Sequence, residues 1–273
     1  MATLLDKARL FRSLHVPGNP LVLPNAWDAA SARVVADAGA AAIATTSAGV
    51  AWSLGHGDGD HLSRDQALAA LSRITAAVDV PVTADIERGY AADAAGVAET
   101  VRGVLAAGAV GVNLEDSLRP VDEQAGRIAA ARRAADEAGV PLFLNARIDT
   151  HRLPTGDRAA WLDETLARAR AYAAAGADGV FVLGALDARS IGALVDGSPL
   201  PVNVLADPGA LPVSELAAAG VARVSAGSSI AEAAYGLVRL AALELLAQGT
   251  TTTLGGGFDY ATLNTLLLSD PAR

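Results

Sequence analysis

The chain has 273 residues, of which 52% are hydrophobic and 4% aromatic, and its formal net charge at pH 7 is −9. An acidic chain is a poor partner for nucleic acid or an anionic membrane, so we expect neither. It has no cysteine, which excludes disulfides, zinc–thiolate sites and thiol nucleophiles. Its only lysine, Lys7, precedes the first predicted strand, so a Schiff-base lysine is not expected in a pocket. With no apolar run long enough to span a membrane and no secretion signal, we expect a cytoplasmic protein.

Short apolar runs alternate with helix-forming segments along the chain. Strands are predicted at 21–24, 40–46, 81–85, 110–114, 142–146, 179–183, 201–205 and 222–225. Helices are predicted at 29–38, 63–78, 93–107, 121–138, 157–175, 187–195, 213–219 and 228–247, with Asp28, Ser63 and either Ser228 or Ser229 as N-caps. A long glycine-rich loop is predicted at 47–62.

Eight parallel βα units favour an α/β fold of the (β/α)8 TIM-barrel type over an open doubly wound sheet. No linker or change in composition divides the chain, so we expect one domain over 1–273, with the barrel at about 20–248. The tail, 249–273, lies beyond the eighth unit and is expected to form a C-terminal helical extension. It would pack on a neighbour or over one end of the barrel.

In such a barrel the active site lies at the carboxyl ends of the strands, and this sequence places acids there. Asp85 and Glu87 follow the third strand, and because residues i and i+2 of a strand share a face, both are expected to aim at one point. Glu115 ends the fourth strand, and Asp58 lies on the loop after the second. Four carboxylates without Cys or a pocket Lys predict an oxygen-ligand site for Mg²⁺ or Mn²⁺.

Arg147, at the end of the fifth strand, is expected to face this acidic cluster. A guanidinium there can bind a substrate carboxylate or phosphonate through two parallel hydrogen bonds. Trp27, at the end of the first strand, either forms a wall of the pocket or covers the barrel mouth.

Seven segments at the strand ends together resemble the isocitrate lyase and phosphoenolpyruvate mutase superfamily. They are PNAWDAASAR at 24–33, TTSAGV at 45–50, SLG at 53–55 with Asp58, ADIERGY at 84–90, NLEDS at 113–117, NARID at 145–149 and NVLA at 203–206. The resemblance spans about 21–249, which is nearly the whole chain.

The resemblance implies a Mg²⁺-dependent enzyme that acts on a small α-keto or α-hydroxy acid through a metal-stabilised enolate. It implies that Asp85 binds the metal directly and that Asp58, Glu87 and Glu115 hold metal-bound waters. Arg147, Glu115 and Asp58 are then the expected catalytic residues, with Arg147 binding and polarising the reacting end. The expected substrate-binding residues are Trp27, Thr46, Ser47, Ala48, Asp85, Asn113, Arg147 and Asn203.

The sequence departs from the family where the reaction is selected. The lyases carry a long mobile loop with a cysteine after the fourth strand, and the mutases carry a lysine-containing gate. Here only three residues, 118–120, separate Ser117 from the next helix, and Glu87 stands where better-known members have Asp. The identity of the general acid and base therefore stays open.

The leading expectation is a carbon–carbon lyase for a di- or tricarboxylic acid of the isocitrate, 2-methylisocitrate or oxaloacetate type. A phosphonomutase or phosphonate hydrolase, which acts on a P–C bond, is one alternative, and a keto-acid-binding protein with little catalysis is another. The resemblance also implies a homo-oligomer, a dimer of dimers in which the last helix is exchanged between neighbours.

Overall fold

A computed structural model of the chain describes residues 2–153, 157–184 and 186–269. Its strands are β1 (Leu21–Leu23), β2 (Asn25–Ala26), β3 (Ile43–Thr45), β4 (Val82–Asp85), β5 (Gly111–Glu115), β6 (Phe143–Ile148), β7 (Gly179–Val182), β8 (Val202–Leu205) and β9 (Arg223–Ser225). Its α-helices are α1 (Leu4–Ser13), α2 (Ala29–Asp37), α3 (Ser47–Ser53), α4 (Arg64–Ala76), α5 (Ala94–Ala106), α6 (Val121–Glu137), α7 (Arg158–Ala174), α8 (Ala188–Gly197), α9 (Val213–Ala218), α10 (Ser229–Gln248) and α11 (Tyr260–Leu268).

The strands form one parallel sheet that closes into a barrel. Their order is β1-β9-β8-β7-β6-β5-β4-β3-β2, so the two ends of the order are the two halves of one extended run. Pro24 separates these halves because it has no N–H to donate to a strand ladder. The first half pairs with β9 and the second with β3, which joins the edges of the sheet. The predicted α/β barrel is confirmed, although its first strand is split.

Alternation along the strands divides an outer apolar layer from a polar interior. In β5, Val112 and Leu114 belong to the main hydrophobic cluster formed with the surrounding helices. Gly111, Asn113 and Glu115 point the other way, because successive side chains of a strand alternate between faces. The interior face therefore leads directly to the carboxyl ends, where the acids lie.

Helix α1, which was not predicted, packs under the barrel. Its buried residues Ala8 and Phe11 join a cluster with Leu21, Leu23 and Phe143. Thr3 and Asp6 form a reciprocal capping box at its start, a signal that is visible in the sequence. This helix closes the end of the barrel opposite the acidic residues.

One local prediction was wrong, and another was right in position only. The loop predicted at 47–62 begins with a helix, α3, because the Thr46 side chain accepts a hydrogen bond from the Gly49 N–H and starts a turn. Ser228 occupies the N-cap position of α10, but its hydroxyl donates to Glu232 Oε1 at 2.6 Å and makes no capping bond to the backbone. The predicted N-caps Asp28 and Ser63 are confirmed, and each forms a capping box.

Of the predicted tail, 249–273, the structure describes 249–269, which contains α11, and the last four residues, 270–273, lie outside the described residues. Arg33 of α2 holds α11 by donating to Leu266 O at 2.6 Å and to Ser269 O at 2.9 Å. Across the parts of the chain that the structure describes, no helix is both long and apolar enough to cross a membrane.

Candidate active site

Asp85 is the last residue of β4 and is fixed by three neighbours. Its Oδ2 accepts a hydrogen bond from Ser47 Oγ at 2.9 Å, and its Oδ1 accepts one from the Glu87 N–H at 3.3 Å. Its own N–H donates to Thr45 Oγ1 at 2.9 Å. The carboxylate is therefore held at the mouth of the barrel by donors from two adjacent strand ends.

Glu87 lies in the same region as Asp85, but its backbone conformation differs from the one predicted. The strand ends at Asp85, and Glu87 lies in the left-handed region at φ 49°, so the i, i+2 geometry of a strand does not apply to it. The residue is 4% exposed. Its Oε2 accepts a hydrogen bond from the Asp60 N–H, and its Oε1 accepts one from Tyr90 Oη at 3.1 Å.

Asp58 and Asp60, two acids of the loop that precedes α4, lie near Asp85 and Glu87. Asp58 is exposed, yet its charge is close enough to contribute to raising the pKa of both Asp85 and Glu87. Asp60, which was not among the predicted site residues, binds Glu87 through its N–H and forms an ion pair with Arg88. The structure thus brings the predicted Asp58 to the cluster and adds Asp60.

Glu115 and Arg147 form the opposite side of the site. They are register partners on β5 and β6, and Arg147 Nη1 lies 2.8 Å from Glu115 Oε2. Arg147 Nε donates to Asp149 Oδ1 at 2.9 Å, and the Asp149 side chain is fully buried. Ser117 Oγ donates to Glu115 Oε1 at 2.7 Å. The guanidinium is therefore oriented by two carboxylates, and its Nη2 has no hydrogen-bond partner in the described ranges.

Asp116, which follows Glu115, supports this side from below rather than contacting the Arg147 side chain. Its Oδ2 accepts hydrogen bonds from Arg168 Nη1 at 2.9 Å and Tyr172 Oη at 2.8 Å. Its Oδ1 accepts one from the Asp149 N–H at 3.1 Å. A buried acid satisfied in this way fixes the short loop after β5 to the loop after β6.

The predicted substrate-binding turn is the start of α3. Thr46, Ser47 and Ala48 are buried there, and Ser47 is already a donor to Asp85. A Cβ added at Gly49 would lie 2.8 Å from both Thr46 Cγ2 and Trp27 Cβ, so the half-buried Trp27 packs against this turn.

Asn113 and Asn203 lie in a polar layer below the acids. Asn145 Nδ2 donates to Asn113 Oδ1 at 2.9 Å and to Asn203 Oδ1 at 3.0 Å. Arg223 Nη2 donates to Asn113 Oδ1 at 3.1 Å. Asn203 Nδ2 donates to Ser225 Oγ at 3.2 Å, and the residue is 1% exposed. Asn203 therefore has both side-chain groups engaged within the barrel.

Burial and mutual repulsion shift the proton affinity of the cluster. Burial raises the pKa of Asp85, against the opposing effects of Arg147 and Ser47. Burial also raises the pKa of Glu115, which Arg147 opposes and Asp85 reinforces. The pKa of Glu87 is raised to about 8, first by burial and then by the charges of Asp60, Asp58 and Asp85, while the Asp60 N–H works against the shift. A bound cation would relieve this repulsion.

The donor set matches a hard cation that retains water. Within the described ranges, no three His, Asp or Glu side chains form a ready-made set of direct metal ligands. The donors nearby are nonetheless carboxylate oxygens, and the buried Asp60 Oδ1 accepts no hydrogen bond from any described residue. Mg²⁺ commonly binds one or two carboxylates directly and keeps several waters, so these residues fit such an ion.

Asp60, Tyr90 and Arg223 are among the residues at the site that were not predicted from the sequence. Asp60 and Tyr90 hold Glu87, and Arg223 reaches the polar layer from β9. Asp60 stands two residues from Asp58, and Tyr90 three from Glu87, so their proximity in sequence was an available signal. Arg223 alternates with Ala222 and Val224 in the strand predicted at 222–225, and this alternation was the available signal for its interior position.

The fold and the site together define a (β/α)8 barrel with an acidic site at the carboxyl ends of its strands. The profile of the family described as phosphoenolpyruvate phosphomutase matches residues 11–246, so the chain belongs to that family and to the isocitrate lyase/PEP mutase superfamily. Superfamily members are enzymes, both lyases and mutases, and they use Mg²⁺, as in the structure of phosphonopyruvate hydrolase with oxalate and Mg²⁺.

Two relatives and one solved structure illustrate this membership. An uncharacterized protein of Mycobacterium tuberculosis is 41% identical over 218 residues, which are 80% of this chain and 81% of that protein. The 2-methylisocitrate lyase of Escherichia coli is 31% identical over 194 residues, 66% of this chain and 62% of that enzyme. A Burkholderia cenocepacia protein, provisionally described as a phosphonomutase, superposes with a TM-score of 0.86 at 48% identity and covers 91% of this chain and 100% of its own.

Proposed function

We propose that the protein is a Mg²⁺-dependent carbon–carbon lyase for a small α-keto or α-hydroxy di- or tricarboxylic acid. Isocitrate, 2-methylisocitrate and oxaloacetate are the substrate types that we favour. The observation that carries the proposal is the placement of Arg147 between Glu115 and Asp149, close enough to the half-buried Asp85 for its charge to oppose the rise in the pKa of that carboxyl. A fixed guanidinium opposite an acidic metal site can hold a polyanionic substrate by both ends.

The residues that would hold the ion are Asp85 directly and Asp58, Glu87 and Glu115 through water. Bound there, Mg²⁺ would supply positive charge where an oxyanion develops during C–C cleavage. Asp85 suits the direct contact because Ser47 and the Glu87 N–H fix both of its oxygens in place. Glu87 and Glu115 also accept hydrogen bonds from protein donors. Asp58 stands on the adjacent loop.

Arg147 has the clearest role among the protein groups. Two of its nitrogens are engaged by Glu115 and Asp149, which locks the plane of the guanidinium. Its Nη2 is then available to a substrate oxygen, without the entropy cost of ordering a free arginine. Burial of the site strengthens that contact, because the local dielectric is lower than in water.

A substrate panel tests the proposal directly. The protein is incubated with isocitrate, 2-methylisocitrate and oxaloacetate in Mg²⁺, in EDTA, and in EDTA followed by excess Mg²⁺. We expect turnover of at least one acid that EDTA abolishes and Mg²⁺ restores. Activity that is insensitive to the chelator would remove the metal from the proposal. Asp85→Ala should abolish metal-dependent turnover, and an unchanged rate would refute its assignment as the direct ligand.

The second candidate is a phosphonomutase or phosphonate hydrolase, which the match to the phosphoenolpyruvate phosphomutase family favours. The same ion and the same arginine would serve a phosphonate, so the site chemistry alone does not separate the two. Phosphonopyruvate turnover followed by phosphorus NMR does, since a P–C bond gives a different shift from a phosphate ester or free phosphate. Tight binding of a keto acid by calorimetry without turnover of any acid would instead indicate a binding protein.

We also propose that the protein is a homo-oligomer, a dimer of dimers assembled through α10. This helix has 20 residues, of which only Ala231 is buried. Its exposed apolar residues include Leu240, Leu243 and Leu246, which are 56%, 49% and 85% exposed. An isolated helix with so much exposed leucine is stabilised when a second surface covers it.

A further inference from the structure

Two loops meet beside the acidic cluster. One links α3 to α4, covers 54–63 and carries Asp58; the other links β4 to α5, covers 86–93 and carries Glu87. Asp60 connects them twice, because its N–H donates to Glu87 Oε2 and its carboxylate pairs with Arg88 Nη2. The side chains of Asp60 and Arg88 are 24% and 38% exposed, so the ion pair is partly screened from water.

The β4–α5 loop is firmly anchored to the barrel wall. Arg127 of α6 is 1% exposed and donates to the main-chain oxygens of Arg88 at 2.7 Å, Ala91 at 2.8 Å and Ala92 at 3.0 Å. Thr100 Oγ1 donates to Gly89 O at 2.7 Å. Charge-assisted bonds to three carbonyl groups hold this loop in one conformation, so it can serve as a fixed support.

The α3–α4 loop has few attachments of its own. Residues 53–59 are all exposed, and three of them are glycines, Gly55, Gly57 and Gly59. The Asp58 side chain makes no hydrogen bond or ion pair with another described residue. A loop of this composition has access to many conformations in the absence of tertiary contacts. Along the chain after Asp58, Asp60 is the first residue whose contacts fix this loop to the rest of the protein.

Backbone conformation at this junction depends on the same contacts. Asp60 has φ 59° and Glu87 has φ 49°, both in the left-handed region. Such conformations cost free energy in residues other than glycine and persist where surrounding contacts enforce them. Arg88 also supplies a positive charge beside acids that repel one another, which favours keeping the two loops together.

We propose that the Asp60–Arg88 ion pair docks the Asp58 loop onto the Glu87 loop and thereby sets both carboxylates at the metal site. Asp60 and Arg88 are positioning residues in this proposal, which rests on the proposed function for its metal. The pair also compensates for the short loop after β5, where only 118–120 separate Ser117 from α6. The wall over the site is then built from the loops after β3 and β4.

The test uses Asp60→Asn, Arg88→Gln and the double variant. Asparagine tolerates the left-handed conformation and keeps the N–H that binds Glu87, so only the ion pair is removed. Arg88→Gln leaves the main-chain carbonyl that Arg127 holds. The control is Arg102→Gln, which removes an ion pair with Glu137 at 3.0 Å whose side chains are 53% and 64% exposed and which lies outside the site.

Two measurements are made on each full-length variant: amide hydrogen exchange across 55–61, and Mn²⁺ affinity by electron paramagnetic resonance. We expect each single variant to exchange about fivefold faster in this segment, as loss of a partly exposed ion pair allows. We expect Mn²⁺ to bind about tenfold more weakly, as for other residues that orient metal ligands. The double variant should match the weaker single one, and Arg88→Lys should retain most of the affinity.

The possible failures are distinguishable. Unchanged exchange in both single variants would overturn the docking role. Faster exchange with unchanged Mn²⁺ affinity would overturn the claim that docking sets the metal carboxylates, while leaving the proposed function intact. Absence of Mn²⁺ and Mg²⁺ binding by the wild-type protein would refute the metal in the proposed function and in this inference together, and exchange would then decide the docking role alone.

Discussion

Glu115 and Arg147 stand directly opposite each other on neighbouring parallel strands, and their side chains form an ion pair of 2.8 Å. We expect Glu115→Gln to lower kcat/KM about 10- to 100-fold on the acid that the substrate panel identifies, because the guanidinium loses one of its two orienting carboxylates. Steady-state kinetics at saturating Mg²⁺ measures this. Glu137→Gln, an exposed acid paired with Arg102, is the control and should leave kcat/KM unchanged. Equal losses in the two variants would mean that the Glu115 carboxylate does not orient Arg147.

Gly49 is required by the close approach of α3 to the first strand. An added Cβ would lie 2.8 Å from Thr46 Cγ2 and from Trp27 Cβ, so Gly49→Ala should destabilise the protein by about 1–3 kcal/mol through overpacking. Urea unfolding measures the change. Gly126→Ala is the matched control, because Gly126 lies within α6 with nothing within 4 Å of the added atom. That substitution should stabilise the helix by about 0.5–1 kcal/mol, so opposite signs are expected.

His15 makes the stability of the fold depend on pH. Burial, reinforced by the nearby charge of Arg223, lowers the pKa of His15 to about 3, while Nδ1 lies 2.8 Å from Phe11 O and the ring stacks on Phe143 at 3.7 Å. Between about pH 6.5 and pH 3 the unfolded chain therefore binds more protons at this residue than the folded chain does, and the difference approaches one proton midway between these values. The stability that neutral His15 contributes is complete above about pH 6.5 and is lost as the pH falls towards 3.

The variant His15→Phe removes this dependence. Between pH 7.5 and 5.5, the unfolding free energy of the wild type should fall by about 1.4 kcal/mol more than that of the variant. Urea titrations at the two pH values measure the difference, and comparison within one background cancels the carboxylates that titrate in both proteins. Identical pH slopes would show that His15 keeps an ordinary pKa in the folded state.

The exposed leucines of α10 predict the effect of charge on assembly. Leu243→Glu together with Leu246→Glu should convert the oligomer to a smaller species, because the covering surface would have to bury two carboxylates. Multi-angle light scattering after size exclusion measures the mass. Leu10→Glu on α1, at a leucine that is 49% exposed, is the control and should leave the mass unchanged. A wild-type monomer across the accessible concentration range would contradict the proposed assembly.

The order of elements and the location of the site followed from local patterns. Apolar runs of strand length and N-caps such as Asp28 and Ser63 are short-range signals, and they predicted the eight βα units that the barrel contains. The carboxyl ends of parallel strands meet at one end of a barrel, so the sequence also predicted that Asp85, Glu115 and Arg147 would come together. Glu115 and Arg147 contact each other, and the charge of Arg147 acts on the pKa of Asp85.

Other features depended on contacts between residues that are distant in sequence. The amphipathic α1 could not be assigned to the lower end of the barrel until Phe11 had Leu21 and Phe143 to pack against. Pro24 interrupts the first strand, but the partner that each half takes, β9 or β3, is decided only by closure of the sheet.

In the acidic cluster, too, some features followed from the sequence and others depended on tertiary contacts. The sequence by itself determined that carboxylates would gather at one end of a parallel barrel. The succession of strands and helices along the chain, and the alternation of side chains within a strand, are local properties of the sequence. Only the tertiary structure decided how the carboxylates are held: Glu87 leaves the strand in a left-handed turn, and Asp60 and Arg88 join the two loops. The reason is that a loop's conformation is selected by its long-range partners, whereas a strand or helix is largely specified by the periodicity of its own residues.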